Sequence, residues 1–109
     1  IIFPYKSAGN NFKVDKNGYF FSADIYALVL KDGVDISYEK LCFILNSLLY
    51  EFYFKTYAKK LGGHLYEYYP NTLNRLMLPS VNDMKEIKTE MDIFDYFGIN
   101  REQILNKKL

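Results

Sequence analysis

The sequence predicts an α+β fold: a small, mainly antiparallel sheet packed on a long, kinked helix, with a helical tail at the C-terminus. Three observations carry this. Residues 38–60 run without Gly or Pro and place Leu41, Leu45, Leu48, Phe52 and Thr56 at steps of three and four, with Leu49 and Tyr53 beside them, as one apolar helix face requires. Short β-prone runs separated by turn residues lie ahead of that stretch and one more follows it, so the order is strand, hairpin, strand, helix, strand. Beyond Pro79 the pattern changes, and Met84, Ile87, Met91 and Phe94 recur at helical spacing with acids near the start, where the helix dipole favours them.

Taken in order, residues 1–5 are apolar and β-prone, and Pro4 confines them to an edge or a strand end because proline cannot donate to a ladder. Residues 6–11 are a polar loop with turn chemistry. Residues 12–15 alternate, Lys16, Asn17 and Gly18 form a hairpin signal, and residues 19–22 are the return strand, with a short joint at Ala23 and Asp24. The unbroken apolar run 25–30 predicts a central strand, closed by Lys31, Asp32 and Gly33. Asp35 or Ser37 can cap the long helix, and Asn46 and Ser47, whose side chains compete with the helical ladder, predict a bend or short break within it. Gly62 and Gly63 stop that helix as a left-handed cap would. Residues 64–69 read as a strand ended by Pro70 and Asn71, whereas 72–78 fit a helical turn and a strand equally. Pro79 to Asn82 is a boundary. It divides a domain over 1–81 from a helical extension over 82–109, in which a helix over 83–97 ends at Gly98 and a capping box at Asn100 to Gln103 opens a last short helix.

The totals bound the function. A chain of 109 residues can bury one modest core. Its aromatic content of 18%, all of it Tyr and Phe, calls for a core of rings or a contact surface rich in Tyr. A net charge of +1 gives no global argument for a polyanionic partner, yet the charge is unevenly spread. Between positions 52 and 66 stand three Lys, one His and no acid, while 83–95 hold five acids against two Lys. One cysteine, Cys42, excludes an internal disulfide and a cysteine-based zinc site, and makes a reducing cytoplasm the default location. No apolar run approaches the roughly 20 residues of a membrane span. An opening Ile that already reads as a strand suggests a piece of a longer protein.

Conventional catalysis has little to stand on. His64 is the lone histidine and has no carboxylate within a helical turn to orient it. Cys42 falls on the apolar helix face, where thiols are inert. Asp15 and Asp24 flank the hairpin and suit turns better than a metal, and Gly62 and Gly63 lack the strand-before, helix-after context of a phosphate loop. No catalytic residue and no metal ligand is assigned. The better constellation is the corner after the long helix. Lys55, Lys59, Lys60 and His64, interleaved with Tyr57 and Tyr66 around two glycines, offer cations for phosphates and polar or aromatic tips for base edges. Lys6, Asn10 and Asn11 of the first loop could join them, since Asn pairs two-pronged with adenine. Basic helix ends also serve simply to complement the dipole, and Tyr at helical spacing also serves the core.

The order of the pieces adds a second argument. Ile1, Ile2, Phe3 and Pro4, the hairpin 15–18, the run 25–30, the helix signature Ile44-Leu45-Asn46-Ser47, the run Phe52 to Lys55, Gly62 and Gly63, and the exit Leu76 to Pro79 together resemble the C-terminal target-recognition (specificity) domain of TaqI-like DNA adenine methyltransferases. The resemblance covers about 1–81. It implies a non-catalytic DNA-reading part of a restriction-modification methyltransferase, in which a preceding domain of the same chain binds S-adenosylmethionine and holds the flipped adenine through an Asn-Pro-Pro-aromatic motif. The parent would be an adenine methyltransferase, with or without endonuclease activity. Neither that motif nor a glycine-rich cofactor loop occurs here, so no cofactor is expected in this piece. Duplex DNA is the expected partner, with Lys55, Lys59 and Lys60 as phosphate contacts and Lys6, Asn10, Asn11, His64 and Tyr66 as candidate base readers. Two alternatives stay open: the equivalent domain of a type I specificity subunit, and a protein-interaction module whose lysines only keep it soluble.

Overall fold

The computed structural model describes residues 1–15 and 25–106 of the chain. Among them are two small antiparallel sheets and six helices, the expected α+β class. In the first sheet β1 (Ile2–Pro4) pairs with β3 (Ile25–Ala27), Phe3 standing opposite Tyr26. The other side of β1 is met by Lys13, whose N–H and C=O exchange hydrogen bonds with Ile2 at 3.0 and 2.8 Å. Pro4 closes its strand, where a missing donor costs nothing. The second sheet joins β2 (Lys6–Ser7) to β4 (Tyr66–Glu67) and brings the first loop against the corner. The predicted hairpin turn 16–18, the return strand 19–22 and the joint 23–24 lie outside the described residues.

The central strand expected over 25–30 is a correction. Only Ile25–Ala27 are strand, β1 is their sole strand partner among the described residues, and Val29 is 75% exposed, so the apolar length of this run does not report a central position. A second correction concerns the long helix, which is two helices: α1 (Tyr38–Leu45) and α2 (Leu48–Lys55). Ser37 caps α1 by accepting from Lys40 N, and Ser47 caps α2 by accepting from Tyr50 N, so the expected break at Asn46 and Ser47 is a full helix stop and restart. Asp35 has another use, a 2.7 Å ion pair with Lys85. Helix α2 ends at Lys55 with Thr56 as its cap; Gly62 and Gly63 cap nothing. The expected strand 64–69 shrinks to β4, and Pro70 does not merely end it but opens α3 (Pro70–Leu73), a single turn with proline where its missing N–H is harmless.

The tail differs from its prediction in the same manner. The helix expected over 83–97 is α4 (Val81–Glu86) and α5 (Glu90–Phe97), parted where Ile87 turns extended at ψ 116° to bury its side chain. Gly98 ends α5 in the left-handed conformation, as expected, and α6 (Arg101–Asn106) follows with the Asn100 side chain accepting from Glu102 N at 2.8 Å. Helix α1 lies on α4, and α2 on α5 and α6. No helix among the described residues is long and apolar enough to cross a membrane.

One apolar cluster runs through the described residues, and seven of its 17 buried members are aromatic. Contacting rings run unbroken from Tyr69 through Tyr26, Phe3, Phe12, Tyr68, Phe54, Tyr57, Tyr53 and Tyr50 to Phe97. At its centre Phe54 and Tyr68 stack in parallel with centroids 4.2 Å apart, both fully buried. Cys42 is buried among them, and its apolar surroundings raise the thiol pKa, which keeps it an inert core residue.

Candidate nucleic-acid interface

The helix stop at Asn46 does more than bend the chain. Its side-chain amide accepts from Phe12 N at 2.9 Å and donates to Phe12 O at 2.8 Å, an imitation of strand pairing that locks the first loop onto the gap between α1 and α2. Asn10 completes the lock. Its amide nitrogen donates to Leu45 O at 2.7 Å, its oxygen accepts from Tyr68 Oη at 2.7 Å, and its backbone N–H reaches Glu51 Oε1 at 2.8 Å. Gly9 leaves room for this contact, since a Cβ there would displace the Glu51 carboxylate. Both ends of the Asn10 amide are therefore occupied within the protein, whereas Asn11 next to it is exposed and rims a small hollow with Phe3, Pro4 and Lys13.

The corner after α2 is a β-hairpin. Lys60 pairs with Tyr66, Glu67 N donates to Lys59 O at 3.0 Å, and Leu61 N donates to Leu65 O at 2.7 Å. The tip is Gly62, Gly63 and His64, with Gly63 at φ 70° and His64 at φ 62°. Two successive left-handed residues turn the chain tightly, and a histidine accepts that conformation at a cost glycine would not bear. The hairpin continues into β2 through Lys6 opposite Glu67 and Ser7 opposite Tyr66. Lys6, Glu67 and Lys59 consequently occupy one row across three chain segments, two cations flanking one acid whose Oε2 also accepts from Tyr5 Oη at 2.8 Å. Hydrogen bonds with Tyr69 and Glu67 hold the Tyr5 phenol well above its ordinary pKa, so it stays a neutral donor.

The residues singled out from sequence thus divide into two sets. Lys59, Lys60, His64, Lys6 and Asn11 are exposed. Among the described residues no carboxylate pairs with Lys59 or Lys60, and the acids of the tail do not reach them. Lys55 and Tyr66 are engaged. Lys55 Nζ sits 5.1 Å from the centroid of the Tyr66 ring and 3.8 Å from Glu51, with 17% of its side chain exposed, and Tyr66 itself is buried in the middle of the three paired segments. Tyr57 is half-buried, with its hydroxyl unpartnered and its pKa pushed up to about 12, chiefly by burial. Missing from the sequence reading is Arg75, exposed at the same end of α2, in the stretch where helix and strand patterns could not be told apart. No group of three or more His, Cys, Asp or Glu that could hold a metal ion occurs among the described residues.

These features define a class: a small α+β domain presenting a lysine-bearing hairpin tied to a polar loop. The family model of the TaqI-like C-terminal specificity domain matches residues 1–78, and the chain belongs to that family of DNA methyltransferase specificity domains. No curated protein matches it.

Proposed function

We propose that this chain reads and grips duplex DNA as the target-recognition domain of a site-specific adenine methyltransferase. It would position the target for a catalytic domain outside this sequence, in a cytoplasmic restriction-modification enzyme. The observation that carries the reading is the hairpin 59–67: Lys59 and Lys60 stand exposed without a carboxylate partner among the described residues, beside a tip where His64 is kept in a costly left-handed conformation. Backbone strain of this kind concentrates where a side chain is needed in one direction. In this reading Lys59 and Lys60 contact phosphates, Lys55 shapes the corner from beneath, and His64, Asn11 and Lys6 meet the grooves. Asn10 and Tyr66 hold the loop and the hairpin in place.

The apolar cavity beside α2 is a poor match for the polar groups of S-adenosylmethionine. That cavity, of about 390 Å³ between α2 and the tail, is walled by Leu49, Phe52, Phe97 and Ile104 among others. The hydroxyls of Tyr50, Tyr53 and Thr56 around it are already bonded to backbone. In this reading the cofactor belongs with the partner domain.

Binding should be read by anisotropy with labelled duplexes at two salt concentrations. Affinity is expected to fall steeply with salt, and Lys59→Ala should weaken all duplexes alike while lowering the log–log salt slope by about 1. Asn11→Ala should instead change which duplex is preferred. Salt-independent binding would point to an interface built from rings and overturn the proposal.

A further inference from the structure

Arg75 has its backbone bonded on both sides and its guanidinium against a ring. Its N–H donates to Thr72 O at 3.2 Å, and the Tyr53 hydroxyl bridges its C=O at 3.5 Å and Met77 N at 3.1 Å, so the backbone on both sides is pinned to the outer face of α2. The guanidinium carbon lies 4.7 Å from the centroid of the Tyr57 ring. That ring is itself fixed by edge contacts with Phe54 at 5.7 Å and Tyr53 at 5.9 Å. Among the described residues no carboxylate and no carbonyl accepts from the guanidinium. A planar donor fork is therefore set in position with its N–H groups unspent, two residues in sequence from Lys59 through the tyrosine it rests on.

We propose that Arg75, laid against Tyr57, reads a guanine through the O6 and N7 acceptors of its major-groove edge. The inference rests on the chain being a duplex-reading specificity domain. Paired acceptors are also offered by a phosphate, but Lys59 and Lys60 already supply compact cations there, and a fork with a fixed plane adds most where the acceptors are themselves coplanar and directed.

The test is selection of duplexes from a random-sequence pool by this chain, repeated with Arg75→Ala and Arg75→Lys. Wild type is expected to retain a guanine at one position or more. Arg75→Ala should relax that position by on the order of tenfold to a hundredfold while other preferences stand. Exchanging that guanine for 7-deazaguanine should weaken wild type and leave Arg75→Ala unchanged. Arg75→Lys should keep overall affinity without the guanine preference. If Arg75→Ala weakens every duplex by one factor and Arg75→Lys restores it, the residue holds a phosphate and the guanine assignment falls. If Arg75→Ala selects and binds as wild type does, the contact itself is refuted. Absence of any salt-sensitive binding by wild type would remove the DNA-reading function and this inference with it, a result visible before any variant is made.

Discussion

At position 64 the chain keeps a histidine at φ 62°, a conformation that glycine adopts freely and most residues adopt at about 1 kcal/mol or more. His64→Gly should therefore raise the urea midpoint by the equivalent of about 0.5–1 kcal/mol while weakening DNA binding; a lowered midpoint would show that the imidazole stabilises the tip instead. Asn46 and Asn10 teach the opposite lesson. Asn46 could be seen from sequence as a helix breaker, since its side chain rivals the backbone ladder. Its two bonds to Phe12 could not be seen, because that partner is 34 residues away. Asn10 resembled a base reader for the same reason that it makes a good lock: an amide offers one donor and one acceptor to whatever arrives first, and here Leu45 and Tyr68 arrive.

Among the elements, the division of 83–97 shows where periodicity misleads. Met84, Ile87, Met91 and Phe94 keep helical spacing across a break, yet Met91 is 51% exposed and only the other three are buried. The signal that would have found the break is Thr89 with Asp92 three positions on, a capping box in which Thr89 Oγ1 accepts from Asp92 N and Asp92 accepts from Lys88 N and Thr89 N at 2.8 and 3.0 Å. Those backbone bonds hold the Asp92 carboxyl below its ordinary 3.8. A folded pKa below the unfolded one means that the cap's contribution is fully present above about pH 4 and is lost as pH falls through the lowered value. Urea unfolding of Asp92→Asn should accordingly show a lower midpoint than wild type at pH 7 and a smaller drop between pH 5 and pH 3. Equal drops in the two proteins would place the acid sensitivity elsewhere, with the Asp35–Lys85 pair, which also lowers a carboxyl pKa, the next candidate.

On the scale of the molecule, the expected boundary near Pro79 separates stretches of sequence that share one core. Met84, Ile87, Ile93, Phe94 and Ile104 of the tail are buried in the same cluster as Leu41, Tyr50 and Phe54, although the family match stops at residue 78. Burying such side chains is worth about 1.5–3 kcal/mol each, comparable in all to the entire net stability of a domain this size. A polypeptide limited to 1–81 should lose its cooperative urea transition and bind a hydrophobic dye; a sharp transition near the full-length midpoint would show that the first part stands alone. Of the five acids of 83–95, Asp83, Glu86 and Asp95 are exposed, whereas Glu90 turns inward and accepts from Leu48 N at 2.7 Å, tying α5 to the start of α2.

Composition, period and motif order were sufficient by themselves for the α+β class, for the likeness to the specificity-domain family and for the basic corner, because each is written in residues close together along the chain. Which polar side chains are left over was decided only by the tertiary structure. Lys59, Lys60, His64, Asn11 and Arg75 remain exposed, while Asn10, Asn46, Lys55 and Tyr66 are engaged by the fold itself. The reason is physical: a hydrogen bond or a ring contact consumes a side chain through a partner that the fold delivers, and for Asn10 those partners lie 35 and 58 positions away.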